Sequence, residues 1–538
     1  MASTPTTKAQ VQAYQFVLKR MQSALVRRDA VMLNDPMSTH SRATAVGVVL
    51  GVLGLIVFLV IGLFSPAPRL DDQTQIAISK ETGQVYVVDN APRRLIPMTN
   101  LASARLLWLS RSSPDAQQGQ AGGDAPAGQA GATQGAAGGT PKLVSEKALA
   151  NLPRGRLTGL PDAPDVLPAP ELRIDAQWSV CDTLQLDRFR EDQAAENQIK
   201  TSVIAGVSGG NAELGAEAVL VQQRTGAKKA YLIYKTPQNL RDVSSSTVRA
   251  EVDLKNDRVI NALKLTGKKP RAISTALLNA IPEVAPLVAP TMPNQGKQAT
   301  YVTETKVNIG EVVQVERQEG FESMVALEDG FQTVEETVGD LLRYAYSNNR
   351  AAIRLSPSAV ANHRSPAKPL VLESYPQKIP TTLEPNPNNV VLCLGWKAEN
   401  FTADNRAEHT SVTIGSALPG PKEMTPAQLG SAGANGEIID EFLMLPGKAS
   451  VVRASQGKND FGTGPVQVVT GRGVRYGVPD GATAAALGLE GTFPPAPNQI
   501  LSLLPMGPQL NKNDANRSYD SIPAPGGKIQ DPQAAVQK

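Results

Sequence analysis

The sequence predicts a single-pass membrane protein whose large exoplasmic region is α+β, built of small β-hairpin and helix repeat domains around a central domain. Three observations lead there. Residues 43–64 form a run of 22 without a charge. Beyond it, short strand-forming pieces recur in pairs with glycine turns between them. Two stretches, "LLNAIPEVAPL" (277–287) and "ILSLLPMGPQL" (500–510), read as copies at a constant offset of 223 residues.

The charged run-up and the bulk differ in character. Of the net charge of +3, residues 1–64 hold six Lys or Arg against two Asp, a balance of +4, so the rest of the 538-residue chain sums to −1. A large, nearly neutral portion has no basic field for polyanions, which argues against nucleic acid as a partner. Aromatics make up only 4% while Gly and Pro number 45 and 41, which favours turns and short elements around small cores.

At 1.5 Å rise per residue, a helix as long as the uncharged run covers about 33 Å, against a hydrocarbon core of about 30 Å. A cleavable signal has a shorter apolar region, roughly 7–15 residues, close behind a basic start. Here the run is longer, lies after residue 42, and exits through "SPAPRLDD" without a clean A-x-A pattern. It reads as a permanent anchor. Lys and Arg beside a span favour the cytoplasmic side. Arg27, Arg28 and Arg42 precede the run, whereas Arg69 after it is followed by Asp71 and Asp72. Residues 1–42 are therefore expected inside, 43–64 in the bilayer and 65–538 outside. Gly47, Gly51 and Gly54 fall along one side of the span, and Gly47-x-x-x-Gly51 is the spacing that lets two helices approach closely. Glycine is common in spanning helices, so these are candidate packing residues and no more.

The cytoplasmic arm contains "QVQAYQFVLKRMQSALVRRD", in which Val11, Tyr14, Leu18, Met21 and Leu25 recur three and four residues apart on one helical face. Lys19, Arg20, Arg27 and Arg28 lie off that stripe. A single helix outside a domain has nothing of its own to cover five apolar side chains. It must lie on the membrane surface or dock on a partner. Met and Tyr supply a shaped contact face, which favours docking. Pro36 breaks the helix before the span begins.

These same residues carry a family resemblance. The stretch "QVQAYQFVLKRMQSALVRRDAVMLNDPMSTHSRATAVGVVLGVLGL" resembles the N-terminal signature of EccB, a core membrane protein of the mycobacterial type VII (ESX) secretion machinery. The pattern is an amphipathic helix, an end at Arg27-Arg28-Asp29, a break at Asn34-Asp35-Pro36, then one span. The match covers about fifty contiguous residues and extends less tightly over the exoplasmic part. Within the family, the chain looks most like the member of the iron- and zinc-linked system. The resemblance implies a structural subunit of an inner-membrane secretion complex, its N-terminus cytoplasmic and its C-terminal region periplasmic. It implies partners EccC (the motor ATPase), EccD and EccE, and a homodimer or higher oligomer. It also brings an ATPase activity ascribed to the family, which makes ATP the one cofactor to consider.

In the exoplasmic part, hairpins are expected between residues 219–221 and 231–234 around Gly226, and between 466–469 and 474–478 around Gly471 and Gly473. "IAISKETGQVYVV" gives another, turning at Gly83. Such hairpins need a helix or a second sheet over one face. The apolar stretches "NLASARLLWL", "STALLNAI" and "NQILSLL" are the candidate helices. We expect a first repeat domain at 65–112, a disordered Ala-, Gly- and Gln-rich loop at 113–141 that buries too little to offset its ordering entropy, a central domain with further repeats at 142–510, and an irregular tail at 511–538.

Two cysteines are present, Cys181 in "WSVCDT" and Cys393 in "VLCLGW". An oxidising compartment favours pairing, and two separate buried thiols are the alternative. The resemblance implies a central-domain disulfide, which would join them. No other chemistry is assigned. A phosphate cradle needs Gly-x-x-x-x-Gly-Lys-[Ser/Thr], but Gly447-Lys448 has Phe442 and Ala449 in the flanking positions, and Gly267-Lys268 has Ala262 and Lys269. The histidines His40, His363 and His409 make no metal spacing, and no G-x-S-x-G elbow is present. No catalytic, cofactor-binding or metal residue is therefore named, and a structural role is expected. An ATP-hydrolysing component and a peptidoglycan-binding module stand as the alternatives.

Overall fold

A computed structural model describes residues 7–27, 36–64, 70–71, 73–90, 92–112, 139–164, 167–186, 199–210, 212–224, 227–236, 247–318, 320–347, 350–364, 366–430 and 439–519. The chain divides into two compact units: residues 1–72 with 143–151, and residues 73–142 with 152–538.

The first unit holds two long helices. The arm helix, Lys8–Arg27, spans 20 residues and contains the whole apolar stripe. The second, Pro36–Phe64, spans 29 residues, about 44 Å at 1.5 Å each. It begins on Pro36, whose missing N–H costs nothing in a first turn, and so starts about two turns before the uncharged run, with Arg42 inside the helix. The segment Arg42–Val60 is long and apolar enough to cross a membrane, and none of it is buried.

The second unit is a set of small repeats on a central sheet. The first repeat is a meander, Ile76–Ser79, Val85–Asn90 and Arg93–Met98, followed by the helix Leu101–Ser112. Its first turn closes on Gly83 at φ +72°, where a side chain would be strained. Three later repeats share a fuller order: three antiparallel strands, a helix, a fourth strand returning parallel to the first, and a short second helix. In the second repeat these are Glu217–Gln223, Ala230–Lys235, Thr247–Val252, Asp257–Ala262, Arg271–Ile273 and Thr275–Ala280. The third runs Val312–Arg317, Gly320–Ala326, Phe331–Thr333, Glu336–Tyr346, Ile353–Leu355 and Pro357–Ala361. The fourth runs Ser450–Ser455, Val466–Val469, Arg475–Val478, Gly481–Ala486, Pro495–Pro497 and Asn498–Leu501. The hairpins expected at Gly83 and at Gly471 and Gly473 are present, and 219–221 pairs with 231–233 as expected; Gly226 itself lies outside the described residues.

The copies 277–287 and 500–510 occupy equivalent places. In the second repeat the Arg249 amide donates to the Pro282 carbonyl (2.9 Å) and the Leu287 amide to Glu251 (3.0 Å). In the fourth, Arg475 donates to Pro505 (3.0 Å) and Leu510 to Gly477 (2.9 Å). The first repeat carries the same bond from Leu95 to Pro153 (2.9 Å). The short second helices of the second and third repeats start on Ser274 and Ser356, whose hydroxyls accept from the amides of Leu277 and Ala359, as N-caps do.

The central sheet has seven strands in the order Ala427–Gln428, Glu441–Leu443, Ile199–Ala205, Gln177–Leu184, Val391–Glu399, Ala407–Gly415, Ala212–Glu213. Both faces are buried. On one, Trp178, Val180, Leu392, Leu394 and Trp396 share a core with Leu277, Leu278, Leu501 and Leu504, so the equivalent helices of the second and fourth repeats lie together on this sheet. Cys181, Cys393, Ile204 and Leu443 occupy the other face. The first repeat packs on the fourth through Ala102 and Leu106 against Val468 and Leu487. Leu341 of the third enters the core of the second beside Val248 and Val259.

Two boundaries differ from expectation. Residues 511–519 are not irregular: Asn511 caps the helix Lys512–Ala515 by accepting from the Asp514 amide, Ala515 is buried, and Ser518–Tyr519 pairs with Leu157–Thr158. Pro141 opens the strand Pro141–Val144 rather than closing the Ala-, Gly- and Gln-rich loop, whose residues 113–138 lie outside the described chain, as do 520–538.

Candidate functional site

The arm helix exposes the stripe it was expected to carry. Tyr14 is 68%, Met21 54% and Leu25 82% exposed, with Val11 and Leu18 also open. The apolar surface is wider than the stripe, because Phe16, Val17 and Val26 are exposed too. Sequence reasoning missed these three; a tally of every apolar residue in the helix, rather than one heptad-like face, would have found them. The span is similar. A Cβ placed on Gly47, Gly51 or Gly54 meets nothing within 4 Å, so this row of small residues is open to a second helix.

Cys181 and Cys393 form a disulfide. They are direct partners in the register of two antiparallel neighbours of the central sheet, and both are completely buried.

Close to this bridge lies a buried polar cluster that joins the sheet to the second repeat. Asp182 accepts from the Ser274 amide (2.7 Å), the Ser274 hydroxyl (2.8 Å) and the Thr201 hydroxyl (2.8 Å). Arg271 donates to the carbonyls of Asn389 and Val390, both at 2.9 Å. Burial pushes the Asp182 carboxyl up, against the pull of the Ser274 and Thr201 hydrogen bonds and the Arg271 charge. Burial likewise pushes Arg271 down to about 10, with the Asp182 charge opposing. Neither residue was singled out from the sequence, where a lone Asp after a cysteine and a lone Arg before a short helix carry no pattern. The cluster holds two pieces of structure together, the central sheet and the second repeat.

The glycine-lysine pairs do not build a phosphate cradle. A cradle joins a strand to a helix N-terminus. Gly447 and Lys448 instead connect two strands, and the Lys448 amine donates to the Glu171 carbonyl (2.7 Å). Gly267 and Lys268 lead from a helix into a strand, with the Lys268 amine on Glu384 at 2.7 Å. The histidines are apart: the His363 ring stacks on Tyr301, His409 faces Glu399 at 3.8 Å, and the His40 side chain lies outside the described residues.

One open cleft of about 1380 Å³ lies between the fourth repeat and the turn joining two central strands; Arg406, Arg453 and Arg475 line it together with Phe401, Phe461 and Phe493.

Comparison with known proteins agrees with this architecture. A family model described as type VII secretion system ESX-1, transport TM domain B, matches residues 3–524. The chain is 29% identical over 531 residues to a protein of Mycolicibacterium smegmatis named ESX-3 secretion system ATPase EccB3, covering 96% of this chain and 91% of that one. It is 28% identical over 522 residues to the ESX-1 secretion system ATPase EccB1 of Mycobacterium tuberculosis, covering 96% of each. A chain in the structure of an intact ESX-5 inner membrane complex superposes with a TM-score of 0.65 at 25% identity, over 98% of both chains. A chain of the EccB3 dimer from the ESX-3 core complex gives 0.62 at 26% identity, over 82% of this chain and 99% of that one. With arm, span and repeats all inside the matched residues, the chain belongs to the EccB family of type VII (ESX) secretion.

Proposed function

We propose that this chain serves as a structural subunit of an ESX inner-membrane secretion complex, docking through its cytoplasmic arm and associating with further copies through its span and periplasmic body. The observation that carries the proposal is the arm helix, whose apolar side chains are uncovered along its length. Such a surface in water needs a partner, and helix-in-groove docking is the recurring solution. The partners the family implies are EccC, EccD and EccE. Dimerisation is supported by likeness to an EccB3 dimer, and oligomerisation by likeness to a chain of a C3 ESX-5 complex. The placement inside, across and outside the membrane follows from the arginines before the span and from a disulfide beyond it.

The test is affinity purification of the complex after Leu18→Asp and Met21→Asp. Loss of the partner proteins with the chain still inserted in the membrane is the expected result; full recovery of the complex defeats the docking role. Protease added to spheroplasts should digest the body, and a protected body would reverse the topology.

The finer role, support of iron and zinc supply, draws on the ESX-3 relative at 29% identity, beside 28% for ESX-1. A deletion strain that grows like its parent under chelation of both metals removes it. A second reading, ATP hydrolysis, draws on the names of the relatives. Full-length protein free of motor ATPase that releases no phosphate from Mg-ATP would reject it.

A further inference from the structure

The second and fourth repeats differ at one station. In the second, Arg249 and Glu283 are main-chain neighbours, and the Glu283 carboxylate takes a hydrogen bond from the Arg249 guanidinium at 2.9 Å. Moving along by the offset of 223 puts Met506 in the place of Glu283, and the corresponding main-chain bridge joins Arg475 to Met506. Arg475 therefore lacks the carboxylate its counterpart has. Its guanidinium donates to the Leu504 carbonyl and to Gln467, both at 3.2 Å, and the residue is 7% exposed. Burial holds its pKa down. Met506, in contrast, is 68% exposed.

Both residues line the cleft of about 1380 Å³, and two more guanidiniums join them there. Arg453 donates to the Gly464 carbonyl (2.8 Å) and Arg406 to that of Ala403 (3.2 Å). Among the described residues none of the three makes an ion pair. The one carboxylate among the described lining residues is Asp480, which keeps its charge while one of its oxygens caps the Thr483 amide at 2.7 Å. Buried or half-buried cations are normally paired; here three without a carboxylate partner share one cleft, Arg453 lying over the Phe493 ring at 5.8 Å, and together with Phe401 they suit an anionic ligand with apolar parts.

We infer that this cleft binds an extended acidic peptide segment of a protein partner, its carboxylates on Arg406, Arg453 and Arg475 and its apolar side chains on Phe401, Phe493 and Met506. The guanidinium fork matches a carboxylate in two parallel hydrogen bonds. The volume exceeds the roughly 300–1,000 Å³ of a small-molecule site, which favours a chain over a nucleotide. The described lining holds neither Trp nor Tyr, which disfavours a glycan. The inference concerns the periplasmic body and does not depend on how the cytoplasmic arm docks.

The test uses the full chain in detergent and fluorescein-labelled ten-residue peptides alternating Glu with Leu, or Gln with Leu, read by anisotropy. The acidic peptide should bind at least about tenfold more tightly than the neutral one. R406Q should weaken it about tenfold. M506E, which supplies within the chain the carboxylate that Glu283 supplies in the second repeat, should abolish binding without lowering the thermal midpoint. Equal binding of the two peptides, or indifference to both variants, overturns the inference. Displacement of the acidic peptide by an equimolar amount of ATP or of a soluble muropeptide overturns it too, reassigning the cleft to nucleotide or wall glycan.

Discussion

Cys181 and Cys393 stand opposite one another on neighbouring antiparallel strands, their Cα atoms 4.0 Å apart, although 212 residues separate them in the chain. The bridge thus ties the start of the central sheet to its return after two whole repeats have intervened. Closing so long a loop removes freedom from the unfolded chain, and losing a native disulfide typically costs about 2–5 kcal/mol. Replacing both cysteines by Ala should lower the thermal midpoint of the full chain while leaving membrane insertion unchanged. Because both sulfurs are buried in the folded chain, the protein is unfolded in urea without reductant before alkylation; neither cysteine should then be labelled, and mass mapping that finds both labelled contradicts the bridge.

Asp182 gives the periplasmic body a pH dependence of definite sign. Its folded pKa is raised, chiefly by burial. The folded state therefore holds the proton more tightly than the unfolded chain, whose carboxyl titrates near about 4. The group's contribution is fully present below that value and is lost as pH rises through the folded pKa. Asp182→Asn removes this titration. Urea midpoints measured from pH 4 upward should show the native protein losing ground relative to the variant as pH increases. The opposite trend would mean that the hydrogen bonds from Ser274 and Thr201, with the Arg271 charge, outweigh desolvation.

What could be read from the sequence follows from how local each signal is. The span is one uninterrupted apolar run, and the hairpins at Gly83 and Gly473 announce themselves by alternation and a glycine at positive φ. The central sheet gave no such sign. Gln177–Leu184 and Val391–Glu399 are buried on both faces, so apolar residues such as Val391, Leu392, Cys393 and Leu394 run consecutively and blur the alternation of one face, and the pairing that defines them spans two repeats. The third repeat escaped because Arg364 follows its short helix where Pro282 and Pro505 mark the ends of the others. Its capping serine, Ser356, the counterpart of Ser274, was the legible signal. The arginine cleft is assembled from the fourth repeat and a distant turn, and only folding brings those together.

The two copied helices should act as one packing unit. Leu278 and Leu501 are both fully buried in the core beneath the central sheet, on helices that touch. Leu278→Ala and Leu501→Ala should each cost about 2–5 kcal/mol. Residues sharing a cavity do not add independently, so the double variant should depart from the sum by at least about 0.5 kcal/mol. Strict additivity in a denaturant-unfolding cycle would show that the two repeats reach the sheet separately.

The carboxylate at Glu283 and the methionine at 506 should respond oppositely to exchange. Arg249 is buried apart from its contact with Glu283 and its place over the Tyr231 ring at 5.2 Å. Glu283→Met would leave that guanidinium without its carboxylate in a setting largely closed to water, where stranding a hydrogen-bonding group costs about 1–3 kcal/mol. The half-exposed position of Glu283 places the expected loss at the lower end of that range. Met506→Glu adds a carboxylate beside Arg475 at an exposed position, so it should be neutral or stabilising by up to about 1 kcal/mol. Thermal unfolding of the two variants in parallel checks the pair. A destabilising Met506→Glu would show that the fourth repeat keeps Arg475 uncompensated for packing, and not because Met506 stands where the second repeat has its acid.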